Sequence, residues 1–149
     1  MRFNFDDAVY VNKANNFNTA IVDGRFPAST AFIDVSNFTH FAFLVFAGTL
    51  NSALTCAVYQ DTSATVTASV KAVTGASVII GATDDDKWRS VEVEAARLDI
   101  ANNFRYVTLD VSGAGGGDDY LCIVFVGWDA RREPVTQPAN YLEAVVVAG

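Results

Sequence analysis

The sequence predicts an all-β chain, one antiparallel β-sandwich of jelly-roll character with an extended N-terminal arm, and three observations predict it. Apolar and polar residues alternate with a period of two along several segments. In "TVTASVKAV", Val66, Ala68, Val70 and Ala72 would share one face, with Thr65, Thr67, Ser69 and Lys71 on the other. Clusters of turn-forming residues, among them "DGRFPAS", "AGTLNS", "QDTS", "GATDDDK", "IANN" and "SGAGGGDD", interrupt the chain often enough to space short strands as a sandwich or barrel needs. Helical periodicity is scarce, and one helical turn after Val93 is the extent of it.

Taken in order, residues 1–16 read as the arm. The opening "MRFNFDDAVYVNKANNFN" mixes aromatic residues with five asparagines, too polar for core material and too aromatic for a solvated tail. Phe3, Phe5, Val9, Tyr10 and Val11 are its expected anchors on a partner. Residues 17–149 then form a single sandwich domain, with strands expected at 19–22, 31–35, 38–46, 54–60, 65–73, 78–80, 88–93, 104–112 and 121–126. In "FRYVTLDVS", Val107, Leu109 and Val111 point one way, with Tyr106, Thr108 and Asp110 opposite. The apolar run 120–128 reads as a strand buried on both faces and closed by Gly127 and Trp128. After it, "DARREPV" is an ordered turn in which Arg131 or Arg132 is tied to a carboxylate such as Asp129. The terminal "YLEAVVVAG" is an apolar strand, and Val145, Val146 and Val147 need a partner within the sheet or on a neighbouring subunit.

A chain of 149 residues, 51% hydrophobic, suits one domain with its own core and leaves no room for a second. Its longest apolar runs, 41–47 and 120–128, fall short of the ~20 residues that a membrane-spanning helix needs. A soluble protein without a membrane partner is therefore expected. The first residues lack the apolar core of a secretory signal and carry Asp6 and Asp7 there, so assembly in a cytoplasm is expected. A net charge of −7 and a pI near 4.4 repel nucleic acid and anionic lipid alike, and no nucleic-acid partner is expected. Arg131 and Arg132 are the only adjacent basic pair, and Asp129 and Glu133 flank them.

Reactive chemistry finds little footing. Cys56 and Cys122 lie in apolar strands without zinc-ligand or redox spacing, and read as free thiols. The single histidine, His40, borders an aromatic strand with no nucleophile elbow in the chain. Asp84 to Asp86 lack the alternating spacing and distal glutamate of a calcium loop, and "GAGGG" lacks the Lys-Ser/Thr of a phosphate cradle. "YLC" has the Tyr-x-Cys of immunoglobulin domains, but no Trp follows Cys56 at the required distance. No catalytic residue, metal ligand or cofactor is expected, and the chain reads as a non-enzyme.

"LDIANNFRYVTLDVSG" followed by "YLCIVFVGWDARREPV" resembles the C-terminal half of a family of small virion proteins of tailed bacteriophages. There a Leu-Asp turn leads into an "FRYV" strand, a Gly-rich hairpin follows, and an apolar strand ends in "DAR" and "PV". The long aromatic N-terminus and Trp128 depart from that pattern. The resemblance implies a capsid decoration (cement) protein that binds the outer surface of the major capsid protein shell and stabilises the head. The virion surface would be its location, the host bacterial cytoplasm its place of assembly, and the major capsid protein its partner; a local three-fold of the shell and the exposed apolar edge of "AVVVA" add the expectation of a homotrimer. Phe3, Phe5, Tyr10, Trp128, Arg131, Arg132, Val145, Val146 and Val147 are the residues expected to meet the capsid or a neighbouring subunit. The alternative is a carbohydrate- or receptor-binding sandwich of a phage tail or fibre, using Trp88, Trp128, Tyr59, Tyr106 and Tyr120 as stacking platforms.

Overall fold

The computed structural model describes residues 5–115 and 117–142. One short helix, α1 (Phe5–Ala8), precedes nine strands among these residues: β1 (Tyr10–Lys13), β2 (Gly24–Phe26), β3 (Ile33–Asp34), β4 (Phe38–Ala47), β5 (Leu54–Asp61), β6 (Lys71–Ile80), β7 (Trp88–Glu94), β8 (Tyr106–Ser112) and β9 (Leu121–Ala130). Two 3-10 turns, Ala95–Arg97 and Ile100–Asn102, fill the connection after β7, where the sequence predicts its single helical turn.

Two antiparallel sheets result, one ordered β1-β9-β4-β7 and the other β2-β8-β5-β6, with the short β3 also on β8. β1 pairs with β9, β2 with β8, β4 with β7 and β5 with β6, so the first half of the chain meets the second half in reverse order. A long hairpin rolled into two sheets has this connectivity, and it is that of a jelly roll. The predicted all-β sandwich is the observed one.

Alternation fills the space between the sheets. Phe41, Phe43 and Val45 of β4 and Leu121, Ile123 and Phe125 of β9 meet Leu54, Cys56 and Val58 of β5 and Val107, Leu109 and Val111 of β8, all essentially inaccessible. Phe125 sits at the centre of the aromatic part: its ring stacks on Phe41 at 5.8 Å and meets Phe43 edge-on at 5.4 Å. Such pairs add about 0.5–1.5 kcal/mol each to the burial of their area.

Four boundaries differ from those expected. The sandwich begins at Tyr10 rather than at residue 17, because Tyr10 to Lys13 pair with Val124 to Gly127 and Tyr10 packs on Phe38 and Phe125. No strand forms at 19–22. Ile21 is buried there, but the pairing falls to Gly24–Phe26, which reaches β8. The alternating segment 65–70 is turn rather than strand, since the buried Asp61 carboxylate gathers it inward: it accepts hydrogen bonds from the Thr67 amide (2.6 Å), the Thr67 hydroxyl (2.5 Å) and the Thr62 amide (2.6 Å). The strand instead runs from Lys71 through Ile80 and absorbs the segment expected at 78–80.

The fourth difference concerns β9. It runs on to Ala130, and its outward residues Cys122, Val124, Val126 and Trp128 are half-exposed, so the apolar run is buried on one face, not two. Gly127 does not close the strand. A Cβ there would lie 2.9 Å from ring atoms of Phe38, and its absence lets that ring cross beneath the strand. Asp129, with a φ of 57°, kinks the strand near its end, and pairing continues to Ala130 opposite Phe38.

Candidate docking surfaces

The loop after β9 is fixed by a side-chain amide. Asn37 accepts from the Arg132 amide through Oδ1 (3.0 Å) and donates to the Arg132 carbonyl through Nδ2 (3.1 Å), while its own carbonyl accepts from the Arg131 amide (2.7 Å). An asparagine side chain thus does the work of a missing strand, offering one donor and one acceptor in a plane.

The same device recurs twice near β1. Asn15 accepts from the Ile123 amide (2.9 Å) and donates to the Leu121 carbonyl (2.7 Å), extending the β1–β9 ladder past the end of the strand. Gln137 accepts from the Val11 amide (3.2 Å) and donates to the Val9 carbonyl (2.6 Å), covering part of the open edge of β1.

Three of the residues expected at a site converge here. Tyr10, Arg131 and Arg132 line an open groove of about 900 Å³, together with Asn12, residues 31–34 and 36–38, and Pro134 to Thr136. Arg131 and Arg132 are exposed, and among the described residues neither forms an ion pair, so the expected tie to Asp129 is absent. Asp129 lies instead 3.5 Å from His40. Trp128 is brought elsewhere, to the outer face of the four-stranded sheet, where its ring stacks on His40 at 5.8 Å and 11°. Phe5 is 70% exposed in α1. Phe3, Val145, Val146 and Val147 lie outside the described residues.

That outer face is the second surface. Register places Val11, Val126, Ala42 and Glu92 in one row across the sheet, and Lys13, Val124, Leu44 and Ser90 in the next. Phe46 and Trp88 end the face with a second stacked pair, 5.6 Å apart at 23°, and are 38% and 59% exposed. From His40 to Phe46 the face spans about 20 Å along β4 at the rise of ~3.4 Å per strand residue. The sequence singles out both tryptophans, but not that one sheet face carries both.

Of the groups capable of reaction, Cys122 lies on this face beside Phe46, and the others stand away from it or are engaged. Among the described residues no three His, Cys, Asp or Glu are placed to hold a metal ion, and no helix is long and apolar enough to cross a membrane. Asp84 accepts from Lys87 Nζ (2.8 Å) and the Gly81 amide (2.9 Å), while Asp85 accepts from the Leu50 amide (2.8 Å). These carboxylates organise a turn and point to different partners. Cys56 is a buried free thiol whose pKa burial pushes up to about 12, and burial also raises that of the free Cys122. Neither is primed as a thiolate.

No family model matches the chain, and no curated protein or solved structure matches it either.

Proposed function

We propose that the chain is a non-enzymatic capsid decoration protein of a tailed bacteriophage, which binds the outer surface of the major capsid protein shell and stabilises the head. The observation that carries this reading is the outer face of the β1-β9-β4-β7 sheet. A strand that alternates buried with half-buried apolar residues has a second face suited to cover, and patches of this kind rimmed by polar residues mark interaction sites. Here Leu44, Val124 and Val126 lie between Lys13 at one edge and Glu92 and Glu94 at the other.

The "FRYV" segment leads into β8 and "DARREPV" runs from the end of β9 into the loop after it, so these segments, which carry the resemblance to virion proteins, help build the sandwich and its Arg loop. Jelly rolls recur in viral capsid domains, and by fold analogy this agrees with the reading. Three copies around a local three-fold of the shell complete the proposal, since each contact would then be used three times. Quantitative mass spectrometry of purified particles tests it. The protein should be present in numbers comparable with the capsid subunits, and its absence, or a handful of copies per particle, overturns the proposal.

One observation favours a second reading, a carbohydrate-binding module of a tail or fibre. The exposed Trp88 ring backed by Phe46 has the form of a sugar-stacking platform. Glycan-array binding that disappears in Trp88→Ala, with the fold intact, would establish it in place of the first.

A further inference from the structure

The outer sheet face leaves the groove at Arg131 and Arg132 unexplained, and a neighbouring void gives it a more specific chemistry. Next to the groove lies a mainly apolar pocket of about 130 Å³, lined by Val35, Ala95, Leu98, Ile100 and Phe104 with Arg105 and Asn103 at its rim, and Arg131 borders both spaces. For scale, a cavity of roughly 150 Å³ accommodates a benzene ring. One aliphatic side chain therefore fits. Ile100, 54% exposed, stands as an apolar residue at a site open to solvent.

The charges around these spaces are unevenly engaged. Arg105 lies 3.3 Å from Asp34 and donates to the Tyr106 hydroxyl (3.0 Å), so its guanidinium has partners. Away from these spaces Arg25, Lys71 and Lys87 have carboxylates, while Lys13, Arg89 and Arg97 have none within ion-pair distance among the described residues. Arg131 and Arg132 have none among the described residues, although the chain carries 17 acidic residues against 10 basic ones. Their backbone is held by Asn37, so the pair is presented on a fixed loop and little ordering is needed when a ligand arrives. Guanidinium groups accept carboxylates through paired, charge-assisted hydrogen bonds.

We propose that this groove and pocket bind an extended acidic segment of a partner protein, with one aliphatic side chain in the pocket beside Phe104 and carboxylates on Arg131 and Arg132. Because Arg131 is shared, the apolar anchor and the first carboxylate are adjacent or nearly so in the bound segment. The inference stands on the groove alone and holds whether or not the partner is a capsid protein.

Fluorescence anisotropy with the full chain tests it, using a labelled octapeptide that contains Leu-Glu-Glu, one with Gln in place of both Glu, and one with Ala in place of Leu. The Leu-Glu-Glu peptide should bind more weakly as salt rises, and both the Gln peptide and the Arg131→Ala/Arg132→Ala variant should weaken binding by about tenfold or more. The Ala peptide should bind several-fold more weakly than its parent. In the Arg131→Glu/Arg132→Glu variant, preference should pass to a peptide with Lys in place of Glu, an exchange that loss of folding cannot produce. Equal binding of the Glu and Gln peptides, indifference to the double Ala variant, or preference for an oligothymidylate of the same length would each overturn the assignment.

Discussion

On the outer face of the five-stranded sheet, Arg25 lies 3.4 Å from Asp110 and 5.4 Å from the Tyr59 ring, and the Thr108 hydroxyl donates to the Pro27 carbonyl at 2.8 Å. The equivalent face of the four-stranded sheet carries Ala42, Leu44, Val124 and Val126 between two stacked aromatic pairs. Both sheets contribute an apolar inner face to the same core, so folding alone does not distinguish them. The difference lies in what each turns outward. A sheet that needs only to be solvated alternates apolar with polar, as the five-stranded one largely does; one that alternates apolar with apolar is built to be covered.

A charge placed on each outer face should separate them most strongly. Val124→Glu should reduce occupancy on particles, or affinity for isolated shells, by ~100-fold, because an uncompensated carboxylate must be desolvated at the contact. Thr55→Glu, on the other sheet, should leave attachment unchanged. Copy number on particles assembled with each variant measures both.

The loops on which the sheets depend should respond next. Asp61 is buried at the end of β5, and Asp61→Asn replaces an acceptor-only carboxylate by an amide, turning one attraction into a donor–donor clash. Unfolding in urea should show a loss of about 1–3 kcal/mol, the usual cost of a disrupted buried hydrogen-bonded group.

The same carboxylate predicts an acid response. Burial pushes the Asp61 pKa up, but the hydrogen bonds from Thr67 and Thr62 outweigh it and the net shift is downward. Asp119 behaves alike: burial raises it, and the amides of Asn51, Ser52 and Gly115 bring it below its ordinary value. A carboxyl with a lowered native pKa binds its proton less readily folded than unfolded. Its stabilisation is therefore present above the unfolded value, about 3.9, and is lost as pH falls through the lowered native one. Midpoints of denaturation should be flat from neutrality to about pH 5 and fall below pH 4, and Asp61→Asn combined with Asp119→Asn should flatten that fall.

The smallest effect is expected on the polar face. Burial raises the Asp110 pKa more than nearby Arg25 lowers it, with Asp23 adding to the rise. The pair is thus not a strong stabiliser, and Arg25→Met should change unfolding free energy by less than ~1 kcal/mol. It should not alter attachment.

Much of the fold is legible in the sequence because period-two alternation is a local property. β4, β5, β7 and β8 appear close to where the apolar positions put them. The segment at 65–70 shows how this fails: the pattern of "TVTASV" suits a strand, but a buried Asp61 offering strong acceptors to nearby amides wins locally. β1 is hidden for a related reason. Its neighbour Asn15 reads as loop, yet its amide replaces a peptide unit in the ladder.

The surfaces are legible in part. Tyr10 and the Arg pair can be chosen by type, and they line one groove. That Trp128 and Trp88 share one face follows from register across β9, β4 and β7, which no single segment encodes. The pocket beside Phe104 is hidden for the same reason, since its walls come from Val35 and Ser36, from five residues between Ala95 and Phe104, and from Arg105 and Arg131.

Docking through the outer face of the four-stranded sheet is the central proposal. Electron cryomicroscopy of the intact particle tests this most directly, at a resolution that separates strands. It should place Leu44, Val124 and Val126 against the shell, with the Arg25–Asp110 face toward solvent. A map in which the β1-β9-β4-β7 face is open to solvent, or in which the protein is missing from the head, would contradict it.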